Sequence, residues 1–315
     1  MRYVFFVNPT AGKNDAYMKI IPQIEEYFNQ NGGEYKIVFS TAKGDIQKKA
    51  RTEAEKGDEV VMFSCGGEGT CFEMLNGVAG YDNVTISEIP TGSANDFLKS
   101  FGNEYKESFA DINQMLNGIT VEMDVIKADE FYCLNGCSVG MDAVVARDMA
   151  IFKNWPLVSG ALAYKLAIVK TFFKKLGAVL DISIDGVHKY KKSCLFAVVG
   201  NGVAYGGGYY ATPKAVPYDG KLDFTVIETI NKLKILRFLK IYENGQHEKL
   251  SCCDMGNCSS LEFKAETEIP VNLDGEIIER KEMKFEIKRK FVKFLLPSVL
   301  KNKFQFDNDL LTKKT

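Results

Sequence analysis

The sequence predicts an α/β N-terminal domain, doubly wound around a parallel sheet, followed by a mainly β C-terminal domain forming a two-sheet sandwich. Three observations carry that expectation. Strand and helix periodicities alternate up to about residue 125, and the apolar run Val60 to Phe63 leads into the turn Gly66-Gly67-Glu68-Gly69-Thr70. Beyond Val121, strand patterns follow one another with little helix between them. The expected domains are residues 1–125 and 126–315, with no clear linker at the boundary.

In the first half, Arg2 to Val7 is a strand that ends at the Asn8-Pro9 turn. Ile20, Ile21, Ile24, Tyr27 and Phe28 recur at helical spacing, and Asn31-Gly32-Gly33 stops that helix. Tyr35 to Phe39 is a second strand, and Asp45 to Lys56 a polar helix closed by Gly57. Next come the Val60 strand, a helix over Thr70 to Asn76, the strand Val84 to Ile89, and the loop Pro90-Thr91-Gly92-Ser93-Ala94-Asn95-Asp96. Right-handed crossovers place Asn8, Thr41, the glycine turn and Ser93 along one edge of the sheet.

The second half is expected to hold strands over Val121 to Ile126, Phe131 to Val139, Val179 to Ile184, Lys189 to Val199, Leu222 to Ile227, Ser260 to Phe263 and Glu276 to Lys290. Two helices are expected among them, Asp142 to Phe152 and Gly160 to Lys175. The sequence leaves open whether the last strand and the tail return to the first domain.

The 315 residues are 46% hydrophobic, enough for one large core or two moderate ones. Lys plus Arg number 40 against 41 Asp plus Glu, so bulk charge gives no argument for nucleic acid as a partner. No apolar run is long enough to span a bilayer, and Met1 leads directly into a strand with no signal sequence, which points to a cytoplasmic chain. The eight cysteines then read as reduced thiols. Cys252, Cys253 and Cys258, with His247 nearby, lack the paired CxxC spacing of a zinc site, and His188 reads as a surface residue.

Chemistry concentrates in two places. Glycines between a strand and a helix expose backbone amides at the positive end of the helix dipole, an arrangement suited to phosphate. A second polar loop, Pro90 to Asp96, ends on the same sheet edge. In the other half, Asn201-Gly202-x-x-Tyr205-Gly206-Gly207-Gly208 precedes the turn Asp219-Gly220, and Asp274-Gly275-Glu276 sets two carboxylates around a glycine.

Asn8-Pro9-Thr10-Ala11-Gly12-Lys13, the glycine turn and Pro90 to Asp96, in that order, resemble the diacylglycerol kinase catalytic-domain family, which includes bacterial lipid kinases and sphingosine kinases. The resemblance implies an NAD kinase/diacylglycerol kinase-like first domain that binds ATP through Asn8, Thr41, Gly66, Gly67, Glu68, Gly69, Thr70, Cys71, Phe72 and Ser93, with Asn95 and Asp96 in the same loop. The family usually carries Asp at the place of Glu68 and Thr at that of Ser93. It implies Mg²⁺ held by the Asp219 side chain and the main chain of Val216 and Lys221, with Tyr218 where many members have a second Asp.

In the family it resembles, the Asp-Gly-Glu turn carries the general base, so the resemblance implies that Asp274 or Glu276 acts in an interdomain cleft on the hydroxyl of a lipid that accepts the γ-phosphoryl group, with Glu68 helping to place metal or nucleotide. An NAD kinase relative and a nucleotide-binding regulator without turnover are the rival readings. A lipid substrate implies a peripheral position at the membrane surface. Trp155-Pro156-Leu157-Val158 with the helix after it, and the basic-apolar stretch Lys288 to Leu296, have the texture for such a contact. The sequence leaves a homodimer open.

Overall fold

The computed structural model describes residues 1–11, 16–91, 95–153, 155, 166–167, 170 and 177–304. The helix expected over Gly160 to Lys175 lies almost wholly outside the described residues. The chain divides into two compact units, Met1–Val125 with Arg289–Thr315, and Ile126–Lys288. It therefore passes between them twice.

The first unit is built on β1 (Arg2–Val7), α1 (Ile20–Asn31), β2 (Glu34–Phe39), α2 (Asp45–Ala54), β3 (Val60–Gly66), α3 (Glu68–Val78) and β4 (Val84–Pro90), followed by short helices α4 (Lys106–Phe109) and α5 (Ile112–Leu116). The strands pair in parallel in the order β2-β1-β3-β4. The end of the last strand of the chain, Glu276–Leu296, joins β4 in parallel through Lys293↔Thr85 and Phe294↔Ile86. Every residue of β3 is buried, which is why it reads as an unbroken apolar run rather than an alternating one. Phe5 stacks on Phe63 with ring centroids 4.8 Å apart.

α2 and α3 pack backbone against backbone at Gly77, where a Cβ would lie 2.4 Å from the Gln47 carbonyl oxygen. The Glu73 carboxylate of α3 accepts from the amides of Gly44 and Ile46 at 2.7 and 3.2 Å and so satisfies donors at the start of α2. The basic-apolar stretch near the C-terminus serves the core. Phe294, Leu295 and Leu296 are buried, so their apolar surface is taken up by the sheet rather than offered to a bilayer.

The second unit takes over within β5 (Ile119–Ala128) and continues with β6 (Phe131–Cys133), β7 (Gly136–Gly140), α6 (Met141–Lys153), β8 (Ala178–Ile184), β9 (Val187–Gly200), β10 (Leu222–Glu228), α7 (Lys232–Glu243), β11 (Cys253–Cys258), β12 (Ser260–Leu273) and β13 (Glu276–Leu296). β9 and β12 run in the same direction. β8 lies between their first halves and β7 between their second halves, antiparallel to both. β10 and β11 extend the ladder beyond β9, and β13 extends it beyond β12. The single strand expected over Phe131 to Val139 is broken at Leu134 and Asn135, whose amides turn to a side chain described below.

At the start of β1, Glu53 is buried among cations. It pairs with Arg2, and with Lys36 and Lys56 at 2.8 and 2.6 Å. Burial pushes the Glu53 carboxyl up, but the hydrogen bonds from Lys36 and Lys56 outweigh it and bring the group down to about 2. A depressed carboxylate contributes stability that is present above its unfolded pKa and lost as pH falls through the folded one. Unfolding midpoints measured by denaturant titration should therefore drop between about pH 4.5 and 2. Glu53→Gln should flatten that part of the curve, and an unchanged slope in the variant would contradict the assignment.

Candidate functional site

In the first unit, parallel pairing in register brings the strand ends to one edge, with Val7 opposite both Phe39 and Cys65, and Gly66 opposite Pro90. Gly66 must be glycine because Thr70, one turn into α3, folds back on it. A Cβ there would lie 2.3 Å from Thr70 Oγ1. Gly67 is the N-cap, with extended backbone and no side chain to cap the amides of the first turn. The amides of Thr70 and Cys71 already donate to the Gly67 carbonyl at 3.0 and 3.3 Å, within the first turn of the helix. The Cys71 and Phe72 side chains are buried in the core.

Three loops meet at this turn. Asn8 donates from Nδ2 to Thr70 Oγ1 at 3.3 Å, while its Oδ1 accepts from the Thr10 amide and hydroxyl at 3.0 and 2.8 Å. Asn95 donates from Nδ2 to the Gly66 carbonyl and to Glu88 Oε2, each at 3.3 Å. The Glu68 carboxylate accepts from the Asp96 amide at 3.2 Å, tying the first motif to the second.

Asp96 is itself paired with Lys99 at 2.8 Å. Thr41 follows β2 on the same sheet edge, but its amide and hydroxyl donate to Asp45 Oδ2 at 2.9 and 3.0 Å, so in this arrangement it braces the start of α2. Ser93, with Gly92 and Ala94, lies outside the described residues, as do Gly12 and Lys13 of the first motif.

Two residues here were not picked out from sequence. Glu88 is a buried carboxylate inside β4, 2% exposed, signalled only by a charge in an apolar strand. Thr91 donates its amide to the Gly66 carbonyl at 3.3 Å. Thr91 Oγ1 and Asn95 Oδ1 are buried without a hydrogen-bond partner. Buried polar atoms are hydrogen-bonded as a rule, so this pair calls for water or a polar ligand at the junction of the loops, with the Thr91 hydroxyl able to donate to a phosphate oxygen and Asn95 Oδ1 able to accept from water or another donor.

In the second unit, Leu273 pairs with Glu276 across a two-residue turn, Asp274-Gly275, with φ of 48° and 94°. Both values are positive, the geometry of a type I′ hairpin, which Asp-Gly favours. The Asp274 carboxylate accepts from three successive amides, Leu134 at 2.5 Å, Asn135 at 3.2 Å and Gly136 at 2.7 Å. Its own amide donates to the Gly136 carbonyl at 3.1 Å. Burial pushes the Asp274 carboxyl up to about 6, with the three amides pulling the other way.

Asn272 clamps the far side of the turn. Its Oδ1 accepts from the Gly275 amide at 2.7 Å, and its Nδ2 donates to the Tyr205 hydroxyl at 2.6 Å, which shares a 2.5 Å hydrogen bond with Ser138. Glu276, the first residue of β13, is half-buried.

At the proposed metal turn, Asp219 Oδ1 accepts from the Lys221 amide at 3.0 Å, and the Val216 carbonyl accepts from Tyr218 at 2.8 Å. Asp223, absent from the sequence-based set, is pushed up to about 6 by burial and then by the charge of Asp219. Two carboxylates close enough for the charge of Asp219 to act on Asp223 are a donor set of the kind that suits a divalent cation. Among the described residues no group of three or more His, Cys, Asp or Glu is placed to hold a metal, so an ion here would need main-chain oxygens as well.

Elsewhere, Cys258 pairs with Leu222 at the other end of β11 from Cys253, and His247 Nε2 faces the Ala211 carbonyl at 3.2 Å. All eight cysteines are free thiols. His188 is exposed and lies 3.1 Å from Asp181. No helix among the described residues is long and apolar enough to cross a membrane.

Comparison with known proteins agrees with this layout. The family described as "Diacylglycerol kinase catalytic domain" matches residues 2–128, and "YegS C-terminal NAD kinase beta sandwich-like domain" matches residues 135–296. The chain is 25% identical over 271 residues to a "Diacylglycerol kinase" of Bacillus subtilis (strain 168), covering 85% of this chain and 88% of that protein. A crystal structure of a diacylglycerol kinase from Bacillus anthracis str. Sterne superposes with a TM-score of 0.66 at 21% identity, covering 95% of this chain and 97% of the other. An NAD kinase from Archaeoglobus fulgidus in complex with ATP shares the fold, with a TM-score of 0.51 at 14% identity over 94% of each chain. An N-terminal match through the three loops at Gly66 and a C-terminal match through the Asp274 turn make this chain a member of the diacylglycerol kinase catalytic-domain family.

Proposed function

We propose that this protein is an ATP-dependent lipid kinase that transfers the γ-phosphoryl group to the hydroxyl of a diacylglycerol-like lipid. The observation that carries the reading is the junction at Gly66, where Asn8, Glu68, Asn95 and Asp96 converge around unpartnered polar atoms. The lipid acceptor rests on the relative named a diacylglycerol kinase. Bound ATP supplies the phosphoryl group and Mg²⁺ supplies charge neutralisation on the phosphates. Amides at Gly67 to Gly69 hold phosphate oxygens, the Thr91 hydroxyl donates to one of them, and Thr41 is a further nucleotide contact, with Ser93 given the same role by the family resemblance. Glu68 keeps the two loops in register and helps place the nucleotide.

The two carboxylates of the Asp-Gly-Glu turn divide the work. Asp274 has its oxygens committed to three amides and serves as a brace, holding the turn that presents Glu276. Glu276 orients the lipid hydroxyl and accepts its proton. Phosphoryl transfer passes through a loose transition state, so orientation matters more than early proton removal. The second unit, in the sandwich-like form its family description names, is the lipid-binding half, and Asp219 with the carbonyls of Val216 and Lys221 is its Mg²⁺ site, with Asp223 adding charge.

Protein incubated with γ-labelled ATP, Mg²⁺ and extracted lipid should move label into the organic phase, and the same mixture with NAD in place of lipid should not label NAD. Glu276→Gln should cut transfer by about 10²- to 10⁴-fold with melting unchanged. Retained turnover in that variant would overturn the assignment of the base. Asp274→Ala should instead destabilise the fold, by about 1–3 kcal/mol for each amide left unpaired in the interior, and an unchanged unfolding curve would contradict the brace.

Mg²⁺ titration should raise the thermal midpoint of the wild type and leave that of Asp219→Asn unmoved. The gain should be largest above pH 6 and fade below it as Asp223, held up to about 6, takes its proton. A pH-independent gain, or one that survives in Asp219→Asn, would place the ion elsewhere.

A further inference from the structure

The second unit carries a feature that neither the phosphate loops nor the Asp274 turn uses. α7 reads KLKILRFLKIYE, with four cations and one carboxylate, in a chain whose overall charge is −1. One side of the helix is core. Ile235, Phe238 and Tyr242 pack with Leu195, Phe196 and Val198. The other side is open, with Lys234, Arg237 and Lys240 all exposed. Among the described residues, no acidic side chain is within ion-pair distance of any of these three, although paired lysines are common over the rest of the surface.

Leu233 shares the open side with Arg237 and Lys240, at spacings of four and seven residues. It is 84% exposed, more than any other large hydrophobic side chain among the described residues. Its exposure does not come from a frayed end, because the Asn231 side chain caps the helix by accepting from the Leu233 amide at 3.0 Å. The first turn holds no acidic residue and two lysines, against the preference of the helix dipole. Local helix stability therefore does not explain this pattern of charge.

We propose that the open face of α7 is a docking surface for an anionic lipid bilayer, with Leu233 entering the headgroup boundary and Lys234, Arg237 and Lys240 facing lipid phosphates. Unpaired cations around one protruding apolar side chain match such a surface in both charge and hydrophobicity. A protein partner with an acidic face would answer the charge but gives no reason for a solitary exposed leucine at the helix start. The inference deepens the lipid-kinase reading, which gives the docking its purpose, but the binding itself needs neither ATP nor turnover.

The test is co-sedimentation of the full chain with phosphatidylcholine vesicles, with and without phosphatidylglycerol, in the absence of nucleotide. The wild type should partition onto the anionic vesicles, bind neutral ones poorly, and lose binding as salt rises. Lys234→Glu, Arg237→Glu and Lys240→Glu together should weaken partitioning by about a hundredfold or more, and Leu233→Ser by about tenfold. These side chains are exposed, so circular dichroism and melting should match the wild type, as should transfer to detergent-dispersed lipid.

Equal partitioning of wild type and the triple variant, or no binding of the wild type to anionic vesicles, overturns the surface. Loss of vesicle binding by the variant in a protein that labels no lipid overturns the kinase reading and leaves the surface standing.

Discussion

The chemistry of the first unit depends on how closely the chain can approach itself at Gly66. With no side chain there, Thr70 folds over the strand end, and the Gly66 carbonyl can receive both the Thr91 amide and the Asn95 side chain. Parallel pairing of Gly66 with Pro90 sets the two loops side by side, and the carboxylate of Glu68 closes the gap to Asp96. Each link is a single hydrogen bond of modest net strength, but together they fix loops that would otherwise be free to move. A phosphate site made from amides needs that fixity, since its donors must be aimed before the ligand arrives.

The second unit solves a different problem, holding the Asp274-Gly275 hairpin tip in one conformation. A two-residue turn with positive φ at Asp274 is strained unless its surroundings determine it. Three amides from Leu134 to Gly136 do so on one side. Asn272, Tyr205 and Ser138 do so on the other. The break between β6 and β7 is the counterpart of this arrangement, because the amides that leave the ladder there are the ones Asp274 collects. Tyr205 also stands at the base of the Gly206 to Gly208 turn, bonded to Tyr209 in both directions, which ties that glycine run to the same polar lattice.

Much of the first unit was legible because β1, β3 and β4 are buried almost throughout and its turns are punctuated by glycine. β1, β3 and β4 emerge from their apolar residues, with ends displaced by up to three residues, while β2 is a half-exposed edge strand. The final strand was legible as a strand but not as one that leaves its own unit, since alternation along Glu276 to Leu296 says nothing about which neighbour it will meet. α7 was missed because cations crowd its first turn where an acidic cap signal is sought.

Glu88 was missed because its burial depends on Asn95 coming back over β4. Asp274 and Glu276 look alike in sequence, two carboxylates around one glycine. Only the approach of residues 134–136, some 140 positions away along the chain, distinguishes them.

The most direct test of the account is to see where nucleotide touches the chain. Backbone amide shifts followed by nuclear magnetic resonance during titration with ATP and Mg²⁺ should move at Asn8, Gly66 to Phe72 and Thr91 to Asp96, and the changes should saturate together. Shifts confined to other elements, or none at these positions at saturating nucleotide, would contradict the claim that the Gly66 junction grips the polyphosphate.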